Sequence, residues 1–316
     1  MQTIKGLYTA LITPFLENGE FDEEGLIFLI ERQIEAQVDG IVVLGTTGEA
    51  PTLTSKEKEK IISLAIKTVN KKIPVMVGTG SYSTIQTIES TKQAQNLGAD
   101  LALIVVPYYN KPTQEGLYRH YATLHDAVDF PLVVYNIVGR SSVNLQTETL
   151  QRITALPNII GVKEASGQLS QIMEIIEMIS PIYPQFSVMS GDDQFTFPVM
   201  CLGGSGVISV ASNLIPHEMK QLVSLIQQGQ YAEAKQLHYA LNQLFKTLFI
   251  ETNPIPIKAA MSFLNLPAGP CRLPLCELQQ NNLETLQKVL ARNHFLSFKI
   301  GSKKETHRSF HHLRSQ

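Results

Sequence analysis

Cysteine is scarce: Cys201, Cys271 and Cys276 are all that 316 residues carry. An odd, small number in a long chain argues against a disulfide framework. A surplus of one charge is missing too, since 26 basic against 28 acidic side chains leave a formal charge of -2. That balance gives no electrostatic footprint for nucleic acid or an anionic membrane. No stretch approaches the roughly 20 apolar residues of a spanning helix. The opening MQTIKGLYTALITPF lacks the long apolar region and small-residue cleavage site of a secretory signal. A cytoplasmic location is the expectation. Two chemical signatures are lacking as well. No His, Cys, Asp and Glu set has the spacing of a metal site, and no GxGxxG follows a strand to seat a dinucleotide. Neither a metal nor a cofactor is expected.

What is present is a soluble composition, 44% hydrophobic and 17% charged, and a repeating rhythm. Short apolar runs recur at Leu7–Ile12, Ile41–Leu44, Val75–Val77, Leu101–Val106, Leu132–Val134, Ile159–Val162, Phe186–Met189 and Val207–Val210. They are continuous rather than alternating, as strands covered on both faces are. Amphipathic segments separate them. Thr54 and Glu57 read as a capping box ahead of Ile61, Ala65 and Val69, and Leu169, Ile172, Ile176 and Ile179 keep a helical stripe. Eight such units fit a (β/α)8 TIM barrel, with an open doubly wound sheet as the rival. The strand ends decide. Nearly every run is followed by polar or glycine-rich sequence: GTTGE, GTGS, PYYN, YN, KEAS, SGDD and SVAS. An open sheet needs one decorated crevice, whereas a barrel builds its site from all its βα loops.

From Asn213 the pattern turns helical, over Pro216–Gln227, Tyr231–Ile250 and Glu277–Phe295, with NPIPIK opening a further helix near Lys258. The expected organisation is a barrel over 1–212, a C-terminal helical appendage over 213–298 and a loose basic tail over 299–316. His307, His311 and His312 in that tail lack partner ligands and read as solvated.

Lys163 ends the sixth run, in GVKEASG. Burial among apolar groups disfavours an ammonium and leaves an amine able to attack a carbonyl. A structural ion pair is the alternative, although adjacent Glu164 points to the opposite face of the strand. Tyr135, at the end of the preceding run, is placed to shuttle protons beside Lys163, or to be a core tyrosine bonded to backbone. The glycines and hydroxyls of GTTGE suit a carboxylate, or serve merely as a tight turn. Tyr108 and Tyr109 could line a pocket or an interface, and Arg140 could clamp a carboxylate. Asp192 and Asp193 stand where many barrels bind phosphate, and their charge argues against that ligand.

Together GTTGEAPTLT, VPYYNKPTQEGLYRHY, VVYN, GVKEASG, SGDD, GGSGVISV and NPIPIK resemble, in order, the dihydrodipicolinate synthase / N-acetylneuraminate lyase family of Schiff-base barrels. The likeness covers about residues 3–295, and GTTGE, PYYNKP and the Arg after YN point to its synthase branch. The resemblance implies that Lys163 forms an imine with pyruvate. Tyr135, Thr46 and Tyr109 would relay protons, Tyr109 from across a dimer interface. Thr47 would hold the pyruvate carboxylate and Arg140 that of L-aspartate-4-semialdehyde, with Gly191 and Ile208 lining the pocket. The product would be 4-hydroxy-tetrahydrodipicolinate, on the route to diaminopimelate and lysine, and the assembly a tetramer built as a dimer of dimers. Val138 replaces the family's usual Pro, freeing φ near Arg140. The positions matching the family's lysine-feedback site read Ser55, Lys58, Tyr82 and Gln86, with Tyr108 kept. Lys58 would repel a lysine ligand, so weak or absent inhibition is expected. The rival functions are a sugar-acid aldolase of the same barrel, which would lack the Arg, and a non-catalytic small-molecule-binding barrel.

Overall fold

The apolar runs fold as a closed parallel barrel in the computed structural model, which describes residues 3–292. The tail with its three histidines, and the end of the helix expected over Glu277–Phe295, lie outside the described residues. The strands are β1 (Gly6–Ala10), β2 (Gly40–Val43), β3 (Val75–Gly78), β4 (Leu101–Val105), β5 (Leu132–Asn136), β6 (Ile159–Glu164), β7 (Ser187–Ser190) and β8 (Gly206–Ser209). Each pairs with the next, and β8 closes on β1 with Tyr8 opposite Ile208.

Two separate apolar clusters explain why the runs are continuous. Leu7, Ile41, Val75, Ala102, Val134, Val162 and Val207 pack outward against the helices. Tyr8, Val42, Met76, Leu103, Val133, Met189 and Ile208 fill the barrel interior. Each strand therefore buries both faces, and polar residues collect at its ends.

One strand breaks the period of two. Ile159 pairs with Leu132 but Gly161 pairs with Val133, so Ile160 is an extra residue, a β-bulge. Leu132 and Ile159 face the helices, while Val133 faces inward. Beyond the bulge, Val162 faces outward and Lys163, paired with Tyr135, faces inward. Strict alternation from Ile159 would have turned Lys163 to the outside.

The helices follow local signals. Thr54 Oγ1 accepts from Glu57 N at 3.3 Å, and Glu57 returns a bond to Thr54 N at 2.8 Å, opening helix Ser55–Val69 on Ile61, Ile62, Ala65 and Val69. After β8 come helices Pro216–Gln227, Tyr231–Thr247, Ile255–Phe263 and Gln280–Arg292. Asn213 ties the start of this region to β1, its amide donating to Ala10 O at 2.7 Å and accepting from Ile12 N at 3.1 Å. Among the described residues no helix is long and apolar enough to cross a membrane.

Candidate active site

Lys163 sits at the C-terminal end of β6, 6% exposed, with Nζ 4.3 Å from the centroid of the Tyr135 ring on β5. Its neighbour Glu164 points the other way, accepting from Asn136 Nδ2 at 3.0 Å and Ser166 N at 2.7 Å. Burial raises the Glu164 carboxyl above its ordinary range. Among the described residues Lys163 has no ion pair, which removes the structural-pair alternative. Tyr135 is no ordinary core tyrosine either. Tyr121 is one, its buried hydroxyl donating to Ile104 O at 2.9 Å. The Tyr135 hydroxyl makes no hydrogen bond to the described residues and faces the lysine's side of the barrel.

The GTTGE turn rises from the C-terminal end of β2, across the same face of the barrel from this pair. It is entered at Leu44 (φ 57°) and left at Glu49 (φ 53°), both in the left-handed region. Such conformations in residues other than glycine cost energy and recur at functional sites. Gly48 N and Glu49 N close the turn onto Gly45 O and Thr46 O, each at 3.1 Å. Thr46 is half-buried at the mouth, and Thr47 is 3% exposed, its Oγ1 accepting from Asn253 Nδ2 at 2.9 Å. Glu49 does not cap the following helix. It is buried in an ion pair with Lys258 at 2.7 Å and also accepts from Arg272 N at 2.9 Å.

Gly191 follows β7, where a side chain would not fit. A Cβ there would stand 2.6 Å from Ala165 Cβ and 3.1 Å from Lys163 Cε. Ile208 is fully buried on the interior face of β8. Arg140 lies in the short helix Val138–Ser141, so Val138 opens a helical turn there. The Arg140 side chain is exposed and donates from Nη2 to Asn253 O at 2.8 Å. Asp193 shows no charge to the mouth: it is buried, accepts from Val210 N (3.1 Å) and Ala211 N (2.9 Å), and burial pushes its carboxyl up to about 6. Tyr109 stands apart, 90% exposed with φ 69°, and so makes no contact with the buried lysine of its own chain.

Lys163, Tyr135, Thr46, Thr47, Gly191, Ile208 and Arg140 thus converge on the C-terminal face of one barrel, where barrel enzymes carry their chemistry. The dihydrodipicolinate synthetase family model matches residues 3–293. The chain belongs to that family. A 4-hydroxy-tetrahydrodipicolinate synthase of Protochlamydia amoebophila is 56% identical over 287 residues, 91% of this chain and 96% of that protein. The crystal structure of dihydrodipicolinate synthase from Thermotoga maritima superposes with a TM-score of 0.91 at 43% identity, covering 93% of this chain and 99% of that one. A chloride-inhibited synthase from Acinetobacter baumannii, solved in complex with pyruvate, gives 0.89 at 41%, covering 92% and 98%.

The sequence reading gave no role to three residues that the fold ties to the candidate site, Asn253 bonded to Thr47 and Arg140, and Glu49 bonded to Lys258. Asn253 and Lys258 were legible only as part of NPIPIK, a motif without an assigned role, and Glu49 only as a turn residue. The signal for Asn253 and Lys258 was a polar side chain set in a proline-rich apolar stretch, and Glu49 carried no such signal. Among the described residues no group of three or more His, Cys, Asp or Glu could hold a metal ion. A separate cleft at the other end of the barrel, lined by His125, Asp129, Asn158 and Ile160, holds none of the candidate residues.

Proposed function

We propose that the chain condenses pyruvate with L-aspartate-4-semialdehyde through an imine on Lys163, giving 4-hydroxy-tetrahydrodipicolinate. The observation that carries this reading is the buried amine of Lys163, without a counter-ion and 4.3 Å from the Tyr135 ring centroid. With no carboxylate holding the amine, nothing has to be displaced before a carbonyl reaches Nζ.

Nζ attacks C2 of pyruvate, and the ketone oxygen leaves as water with protons relayed by Tyr135 and Thr46. Loss of a C3 proton turns the imine into an enamine, and C3 then bonds to the aldehyde carbon, whose oxygen takes up a proton. The substrate's own amine attacks C2 and expels Lys163, closing the ring and restoring the enzyme. Thr47 and the N–H groups of the GTTGE turn hold the pyruvate carboxylate. Arg140 holds the carboxylate of the aldehyde, and an arginine in that role favours this substrate over a sugar acid. Gly191 leaves the space in which the lysine side chain lies. Tyr109 completes the relay from a second copy, within a tetramer built as a dimer of dimers in the cytoplasm.

Borohydride treatment in the presence of pyruvate, followed by peptide mass mapping, tests this directly. A reduced adduct on the peptide bearing Lys163, lost in Lys163→Ala, is the expected result. Absence of any adduct overturns the Schiff-base reading.

A further inference from the structure

Thr47 and Arg140 belong to the connections after different strands, yet one residue from beyond the barrel touches both. Asn253 donates from Nδ2 to Thr47 Oγ1 at 2.9 Å, and its backbone carbonyl accepts from Arg140 Nη2 at 2.8 Å. It is 5% exposed, and its Oδ1 has no partner among the described residues. The segment is fixed five residues on, where Lys258 Nζ binds Glu49 Oε1 at 2.7 Å and Pro270 O at 2.8 Å. Asn253 is therefore a braced side chain in a slot that spans both carboxylate-binding positions.

The direction of the Thr47 contact matters. A hydroxyl carries one hydrogen and accepts through its lone pairs, whereas an amide N–H only donates. Thr47 oxygen is thus the acceptor, and its hydrogen is left to point away from Asn253. A hydroxyl so polarised donates to an anion.

We propose that Asn253 is a positioning residue for the keto-acid carboxylate, holding the Thr47 hydroxyl in its donating sense. The proposal rests on the Schiff-base reading given above. It makes an unusual demand on substitutions. An acceptor at this place would capture the Thr47 hydrogen, so Asn253→Asp, which keeps the shape, should harm pyruvate binding more than Asn253→Ala, which leaves the hydrogen free. A side chain that only filled space would give the reverse order.

The test is the pyruvate concentration giving half-maximal borohydride trapping at Lys163 in the full chain. In Asn253→Asp it should rise about ten- to a hundredfold, the factor carried by one hydrogen bond to a charged group. Trapping at saturating pyruvate should stay within about twofold of wild type, as befits a binding effect. Asn253→Ala should rise less. In a Thr47→Val background the same Asn253→Asp change should cost no more than about threefold, because the two residues act as one unit. Normal trapping in wild type with an unchanged half-saturation in Asn253→Asp overturns the role of Asn253 alone. So does an undiminished penalty in the Thr47→Val background, which would mean action by charge without Thr47. No adduct in wild type overturns the Schiff-base reading, and this role with it.

Discussion

Gly191 shows how a residue without a side chain governs one that has a long one. The constraint is space: a Cβ would press on Ala165 Cβ and stand 3.1 Å from Lys163 Cε. Ala165 belongs to the backbone segment leaving β6, held by Ala165 N to Asn136 O at 2.9 Å, so it has little freedom to retreat. The lysine side chain has to yield instead, and its amine leaves the face of Tyr135. A displacement of this kind costs about a hundredfold in rate when reacting atoms must meet at near-contact distance. Gly191→Ala is therefore expected to lower kcat roughly a hundredfold while the protein still folds. Steady-state kinetics beside a thermal melt checks it, and an unchanged kcat in a folded variant would remove Gly191 from the site.

The GTTGE turn after β2 and helix Ile255–Phe263 are joined by a pair that neither could keep alone. Glu49 and Lys258 are 1% and 2% exposed at their side chains and meet at 2.7 Å. Burial pulls the Lys258 ammonium below its ordinary range, against the opposing pull of Glu49. Removing one partner strands the other, which costs about 3–5 kcal/mol, whereas replacing both by apolar groups is often near neutral. Lys258→Met should thus lower stability by about that much, and Glu49→Leu with Lys258→Met should recover most of it. Urea unfolding midpoints give the comparison, and equal losses in the single and double variants would contradict the clamp. This pair also marks where sequence reading stops. All eight apolar runs are strands, because burial on both faces writes itself into composition. Lys163, Tyr135 and Arg140 were legible because each ends or follows such a run. Two things were not. The bulge at Ile160 decides which face Lys163 takes, and it exists only in the pairing with β5. Glu49–Lys258 and Thr47–Asn253 join positions 209 and 206 residues apart, a closeness that only the closed barrel creates.

At the scale of the whole molecule, Tyr109 is the residue that one chain does not account for. Its ring is 90% exposed on a left-handed backbone, with Tyr82 and Ile85 also exposed at 48% and 69%. Asn110 Nδ2 donates to Tyr82 O at 3.0 Å, and Tyr82 meets Tyr108 edge-on at 5.7 Å, so the two loops form one aromatic surface. Exposed aromatic residues gathered this way are what a protein interface uses as anchors. If the anchor is also the last member of the proton relay, each site needs two chains, and defects in different chains should complement. A Lys163→Ala chain keeps a good Tyr109 but has no site, while a Tyr109→Phe chain keeps its lysine but lends a defective ring. Co-expressed in equal amounts with distinct tags, they form half mixed pairs, each with one of two sites intact, for roughly a quarter of wild-type activity. That exceeds the mean of the two parent variants. Activity equal to that mean would show that Tyr109 serves its own chain or none, because a ring acting within one chain gains nothing from a neighbour.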